Sequence, residues 1–87
     1  MARYVSQHTL ACLTRQGANE LARRLMAGEV VKGRRVLVNM QEGKMLVEFE
    51  APSREELEKY LAKEKMHFDW LLRIELESVD GALQPAA

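Results

Sequence analysis

Two short alternating segments joined by a glycine constrain this chain more than any other feature. Arg35 to Gln41 places Val36, Val38 and Met40 on one side, and Lys44 to Glu50 places Met45, Val47 and Phe49 on one side. A two-residue period is the pitch of a half-buried strand, and Glu42-Gly43 between the segments supplies the positive-φ position of a tight turn. The pair predicts a β-hairpin and therefore a sheet. In a chain of 87 residues, one sheet with one layer of helices is all that a single core can support.

The flanking segments fill in the rest. Arg3 to Thr9 is a predicted strand with Tyr4, Ser6 and His8 on one face and Val5, Gln7 and Thr9 on the other. From Arg15 to Ala27, the residues Ala18, Leu21, Ala22, Leu25 and Met26 recur at helical spacing, with Thr14 as cap and Gly28 as stop. Ser53 and Glu56 form a capping box after Pro52 and open a second helix with Leu57, Tyr60 and Leu61 on its inner stripe. The helix runs out over Lys63 to His67. Trp70, Leu72, Ile74 and Leu76 then alternate with Leu71, Arg73, Glu75 and Glu77, predicting a last strand with the first set inward. Asp80 to Ala87 is read as a frayed tail, so the domain is expected to span residues 1–79.

The order strand, helix, strand, strand, helix, strand with right-handed connections predicts an α+β, ferredoxin-like domain. Its sheet would be antiparallel, of order 4-1-3-2, with both helices on one face. The outward positions then comprise Leu37, Asn39, Leu46, Glu48, Leu71, Arg73 and Glu75. Leucines among charges make a face suited to a partner sheet or a ligand, and a domain this small gains buried area by pairing with a second copy. A homodimer is therefore expected.

Charge and cysteine content narrow the function classes. Thirteen basic side chains balance thirteen acidic ones, so no net field draws the chain to nucleic acid or to an anionic membrane. The balance conceals polarity: residues 1–47 carry eight basic and three acidic groups, and residues 48–87 carry five and ten. Cys12 is the sole cysteine, which rules out an internal disulfide and fits a reducing, cytoplasmic setting. No apolar run approaches the roughly 20 residues of a membrane span.

The topology brings the end of the first strand, the hairpin tip and the start of the last strand to one end of the sheet. His8, His67 and Asp69 gather there, with Cys12 and Glu42 nearby. Imidazole and carboxylate are ligand types preferred by zinc, nickel or copper, which makes His8, His67 and Asp69 candidate ligands for a divalent transition metal. On the open face and dimer seam, His8, Glu48, Arg73 and Glu75 are candidate small-molecule contacts. His8 with Glu48 or Glu75 could also serve as the acid and base of an isomerase or lyase. Set against these, Cys12 between Leu10 and Leu13 reads as a small buried hydrophobe, and Trp70 as packing. Ser6 beside His8 lacks a third orienting group for nucleophilic catalysis.

Residues Glu42 to Ser53 (EGKMLVEFEAPS), followed by an acidic helix and Ile74-Glu75-Leu76, resemble the small dimeric α/β-barrel proteins, including the muconolactone isomerase-like and small nickel-binding-like groups. The resemblance spans about half the chain. It implies two sheets packed face to face, with a ligand cavity between sheet and helices or at the dimer seam, and it assigns no functional residue. Val47-Glu48-Phe49 also resembles part of an RNA-recognition motif. In such motifs the open face of the central strand carries aromatics, where this chain has Lys44 and Leu46, so RNA binding stands last. The remaining classes are a small-molecule or metal-binding homodimer, a small isomerase or lyase, and a protein-interaction module.

Overall fold

The computed structural model describes residues 1–86. Strand β1 (Ala2–Thr9) leads to helix α1 (Arg15–Met26), the hairpin β2 (Lys32–Asn39) and β3 (Lys44–Ala51), helix α2 (Arg54–Lys63) and strand β4 (Trp70–Ile74). The sheet order is β2-β3-β1-β4 with every pairing antiparallel, as the sequence predicts and compatible with a ferredoxin-like fold.

Both helices open with the expected caps, while α1 closes at Ala27 in a right-handed conformation and not on Gly28. The Thr14 hydroxyl accepts from the Gly17 amide at 3.0 Å, and the Ser53 hydroxyl accepts from the Glu56 amide at 3.2 Å; each satisfies an orphan donor of the first turn. In the β2–β3 turn Gly43 has φ +65°, and a Cβ there would lie 3.1 Å from the Leu10 carbonyl oxygen. That oxygen belongs to the residue whose own amide donates to the Gly43 carbonyl at 2.8 Å. The turn is thereby fastened to the end of β1.

The core lies between the sheet and both helices. Met45, Val47 and Phe49 of β3, Leu25 of α1 and Leu57 of α2 are fully buried, with Leu61, Tyr4 and Leu71 close to it, in one cluster. The Phe49 and Tyr60 rings meet edge to face, with centroids 6.3 Å apart. The predicted α1 stripe extends one residue too far, because Met26 is 52% exposed beside a wholly buried Leu25.

Two expectations are corrected. Strand β4 runs in the opposite phase: β1 pairs Ser6 with Leu71 and Tyr4 with Arg73, so Leu71 and Arg73 face the helix side. Trp70, Leu72 and Ile74 stand opposite Gln7, Val5 and Arg3 on the open face. The alternation was real, and the register set by β1 decides which side it serves.

The second correction is at the C-terminus. The β1–β4 ladder ends at the Arg3–Ile74 pair, one residue short of the start of β1 at Ala2, and the strand breaks at Glu75. The chain then forms a second hairpin, β5 (Leu76–Val79) and β6 (Ala82–Pro85), around Asp80 at φ +52° and Gly81 at φ +82°. Two consecutive positive φ values are the signature of a hairpin turn, and Asp-Gly is a favoured pair for it. Residues 82–85 are therefore a strand where a frayed tail was expected; Ala87 lies outside the described residues. Leu25→Ala is expected to lower unfolding stability by about 2–5 kcal/mol and Met26→Ala by well under that. Urea denaturation of the two variants measures the difference.

Candidate functional site

The end of the sheet where β1, the β2–β3 turn and β4 meet is assembled as the topology requires. The Asp69 amide donates to the Gln7 carbonyl at 2.7 Å, continuing the β1–β4 ladder into the preceding loop. On the open face the Asp69 carboxylate accepts from the Thr9 hydroxyl at 2.7 Å and the Gln7 amide at 3.1 Å, with Lys44 Nζ at 3.8 Å. These partners, Thr9 first, hold its carboxyl below the usual aspartate value. On the other face, His8 and Ser6 are the two fully buried polar side chains among the described residues.

His8 lies opposite Met45, under the loop that joins α2 to β4. Its Nδ1 is 2.8 Å from the His67 carbonyl oxygen and its Nε2 is 2.8 Å from Ser6 Oγ. A carbonyl only accepts, so Nδ1 carries the proton; Nε2 is then the acceptor, and the Ser6 hydroxyl donates to it. Both ring nitrogens are satisfied by a neutral imidazole. Burial pushes the His8 pKa below its ordinary value, outweighing the His67 carbonyl and Asp69, which pull the other way. The His67 carbonyl is the orienting group that sequence reasoning could not supply. It is a backbone atom, and no residue type announces it.

This serine, imidazole and carbonyl relay resembles an activated nucleophile in its connectivity, but neither side chain has any solvent exposure. No substrate atom can reach Ser6 Oγ in this conformation. The relay is a core polar network that ties the α2–β4 loop to β1.

The candidate residues separate accordingly. His8 points to the helix side, and Glu48, opposite Val5, points to the open face, so the two do not form an acid and base pair. Arg73 is on the helix side, and Glu75 sits in the break after β4, at the end of the sheet away from His8. Of the metal candidates, His8 uses both nitrogens internally, the His67 side chain is exposed, and Asp69 faces across the sheet from His8. Among the described residues no three His, Cys, Asp or Glu side chains are grouped to hold a metal ion. Cys12 is exposed at φ +58°, in contrast to the buried position expected, and Glu42 is bonded to Asn39 within its own turn.

The larger feature is the open face. Its rows read Leu37, Leu46, Gln7, Trp70 and then Arg35, Glu48, Val5, Leu72 from β2 to β4. Leu37 is 42%, Trp70 41% and Leu72 59% exposed. A string of charges borders this apolar patch: Arg35 reaches Glu48 at 3.8 Å, Arg3 reaches Glu48 at 3.5 Å, and Arg3 donates to Glu77 at 2.6 Å. No family model, curated protein or solved structure matches the chain. No helix is long and apolar enough to cross a membrane.

The relay makes a pH prediction with a definite sign. Folded His8 resists protonation, whereas the unfolded chain takes up that proton near the ordinary value of 6.5. Stability is therefore fully present above that pH and falls as the solution is acidified through it, until folded His8 itself protonates. His8→Gln is expected to flatten the stability profile between pH 7 and 5.5, about the range where histidine titrates. Chemical denaturation across that range reads the slope, and an unchanged slope in the variant would refute the assignment.

Proposed function

We propose that this protein is a homodimeric binding module, in which two copies pack their open sheet faces together and hold a small-molecule ligand at the seam. The observation that carries this reading is the phase of β4. Its strictly alternating apolar set, Trp70, Leu72 and Ile74, is directed away from the core and onto the uncovered side of the sheet. A strand that is apolar toward solvent and mixed toward its own helices is built to be covered.

The charges on that face favour a second copy as the cover. Arg3, Lys32, Arg35 and Lys44 balance Glu48, Glu50, Asp69 and Glu77, which reaches Arg3. An isologous interface brings each patch against its own kind, so it needs both signs interspersed around an apolar centre. A nucleic-acid surface would need a net positive face, and stacking aromatics on β3, where Lys44 and Leu46 stand. The ligand position that fits the seam is the depression at its hairpin end, lined by Gln7, Leu37, Asn39, Glu42, Lys44 and Leu46.

Binding is preferred to catalysis because the acid and base of the isomerase or lyase alternative do not share a cavity. His8 is sealed in the core and Glu48 is on the other face.

Sedimentation velocity is expected to show a species of twice the 10.0 kDa chain mass. Leu72→Glu should convert it to monomer with an unchanged far-UV spectrum. Native mass spectrometry should then find extra mass on the dimer that the monomeric variant lacks. A wild-type protein that stays monomeric at every concentration, or one whose oligomer ignores Leu72→Glu, overturns the proposal.

A further inference from the structure

The C-terminal hairpin is the part of the molecule that its own chain does not account for. Every residue of β5 and β6 except Glu77 is exposed, including Leu76 at 53%, Val79 at 42% and Leu83 at 68%. The register pairs Leu76 with Pro85 and Ser78 with Leu83, so Leu76, Leu83 and Pro85 share one side of the ribbon. A two-stranded ribbon is at best marginally stable in water without a surface to pack on. Here the base is fastened, by the Ala86 amide to the Glu75 carbonyl at 2.9 Å and by Arg3 to Glu77, while the apolar side is left bare.

Charge identifies what the arm as a whole fits, although its apolar side carries no acidic residue and Glu77, on the other side, is held by Arg3. From Glu75 onward the chain carries Glu75, Glu77 and Asp80 and no basic residue. At the opposite edge of the sheet, β2 carries Lys32, Arg34 and Arg35, with no acidic residue between Val30 and Gln41. The Arg34 and Arg35 side chains remain 47% and 66% exposed while reaching Glu50 at 3.5 Å and Glu48 at 3.8 Å in their own chain. Within one chain the two edges are three strand spacings apart, about 14 Å. We propose that the Leu76–Pro85 hairpin is an arm that docks on the basic edge strand β2 of a second copy.

This inference rests on the face-to-face dimer and selects its symmetry axis. A two-fold axis parallel to the strands places β4 of one copy over β2 of the other and keeps the same ends of the sheets together. Lys32, Glu50, Arg3 and Ile74 lie in one row. Ile74 then comes opposite the partner's row end at Lys32, and the arm, which leaves just beyond Ile74, starts at the Lys32 end of the basic segment. The same operation sets Trp70 against Leu37, because these two end a common row. An axis perpendicular to the strands would instead set β4 on β4 and bring the acidic arm to the Asp69 end of the other copy.

The test uses full-length chains. Leu83→Cys and Arg34→Cys are made separately, each with Cys12→Ser, and the two differently tagged proteins are mixed and mildly oxidised. A mixed disulfide in several-fold excess over either homodisulfide is expected. Leu83→Asp in the otherwise unaltered chain should raise the dimer dissociation constant by about tenfold with no change in the far-UV spectrum. If the chains sediment as dimers but form no mixed disulfide, the arm is overturned and the face-to-face dimer stands. If the unaltered chain is monomeric, the dimer fails and the arm fails with it.

Discussion

Strand β1 is hydrogen-bonded on both sides, and the rest of the molecule takes its position from that. Each of its residues from Arg3 to Gln7 is paired simultaneously with one in β3 and one in β4. Its alternation therefore fixes the faces of three strands at once. Tyr4, Ser6 and His8 belong to the covered face, so Phe49, Val47, Met45, Arg73 and Leu71 follow them there. Val5 and Gln7 belong to the open face and carry Glu48, Leu46, Leu72 and Trp70 with them. A one-residue slip of β4 would reverse its faces while leaving the hairpin untouched. The Asp69 amide on the Gln7 carbonyl and the His67 carbonyl on His8 are the bonds that stop it from slipping.

Two polar side chains in the middle of the covered face would be a liability for any core of this size if they were unpaired. Ser6 and His8 satisfy each other, and the second imidazole nitrogen reaches out of the sheet to the backbone of the α2–β4 loop. The covered face thus gains a directional link that Leu or Val at these positions could not make. That loop contains Lys65 at φ +57°, so its path is unusual for an L residue and benefits from an external tie.

What was legible in the sequence follows from how local each signal is. The Glu42-Gly43 turn, the Thr14 and Ser53 caps and the stripe through Leu57 and Leu61 depend on neighbours within a few residues and stand as predicted, whereas the first hairpin strand runs Lys32–Asn39 and leaves Val38 and Met40, expected inward, exposed. The phase of β4 depends on Ser6 facing Leu71 across 65 residues of chain, and alternation alone is silent on it. Asp80-Gly81 is a legible turn signal between Leu76–Val79 and Ala82–Pro85, but the four residues on either side carry too little alternation to announce a strand by themselves. For the site, the gathering of His8, His67 and Asp69 at one end was correct as topology. Their separation onto different sides follows from strand parity, because Thr9 and Gln7, which hold Asp69, are on the opposite face from His8.

The mispredicted phase is itself informative about what this sheet is for. Sequence patterning normally reports the core, since that is where apolar periodicity is most useful. In β4 it reports the other face. The residues turned toward the helices, Leu71 and Arg73, are one apolar and one exposed charged side chain, whereas those turned away are Trp70, Leu72 and Ile74. Fully burying side chains of this kind is worth about 1.5–3 kcal/mol each, against a folding stability of only about 5–15 kcal/mol for a whole domain. In a chain of 87 residues such a set left outside the core is burial that the proposed dimer would recover. The same logic extends along the chain into the bare Leu76 and Leu83 side of the terminal ribbon, so the proposed interface and the proposed arm answer one and the same deficit of burial.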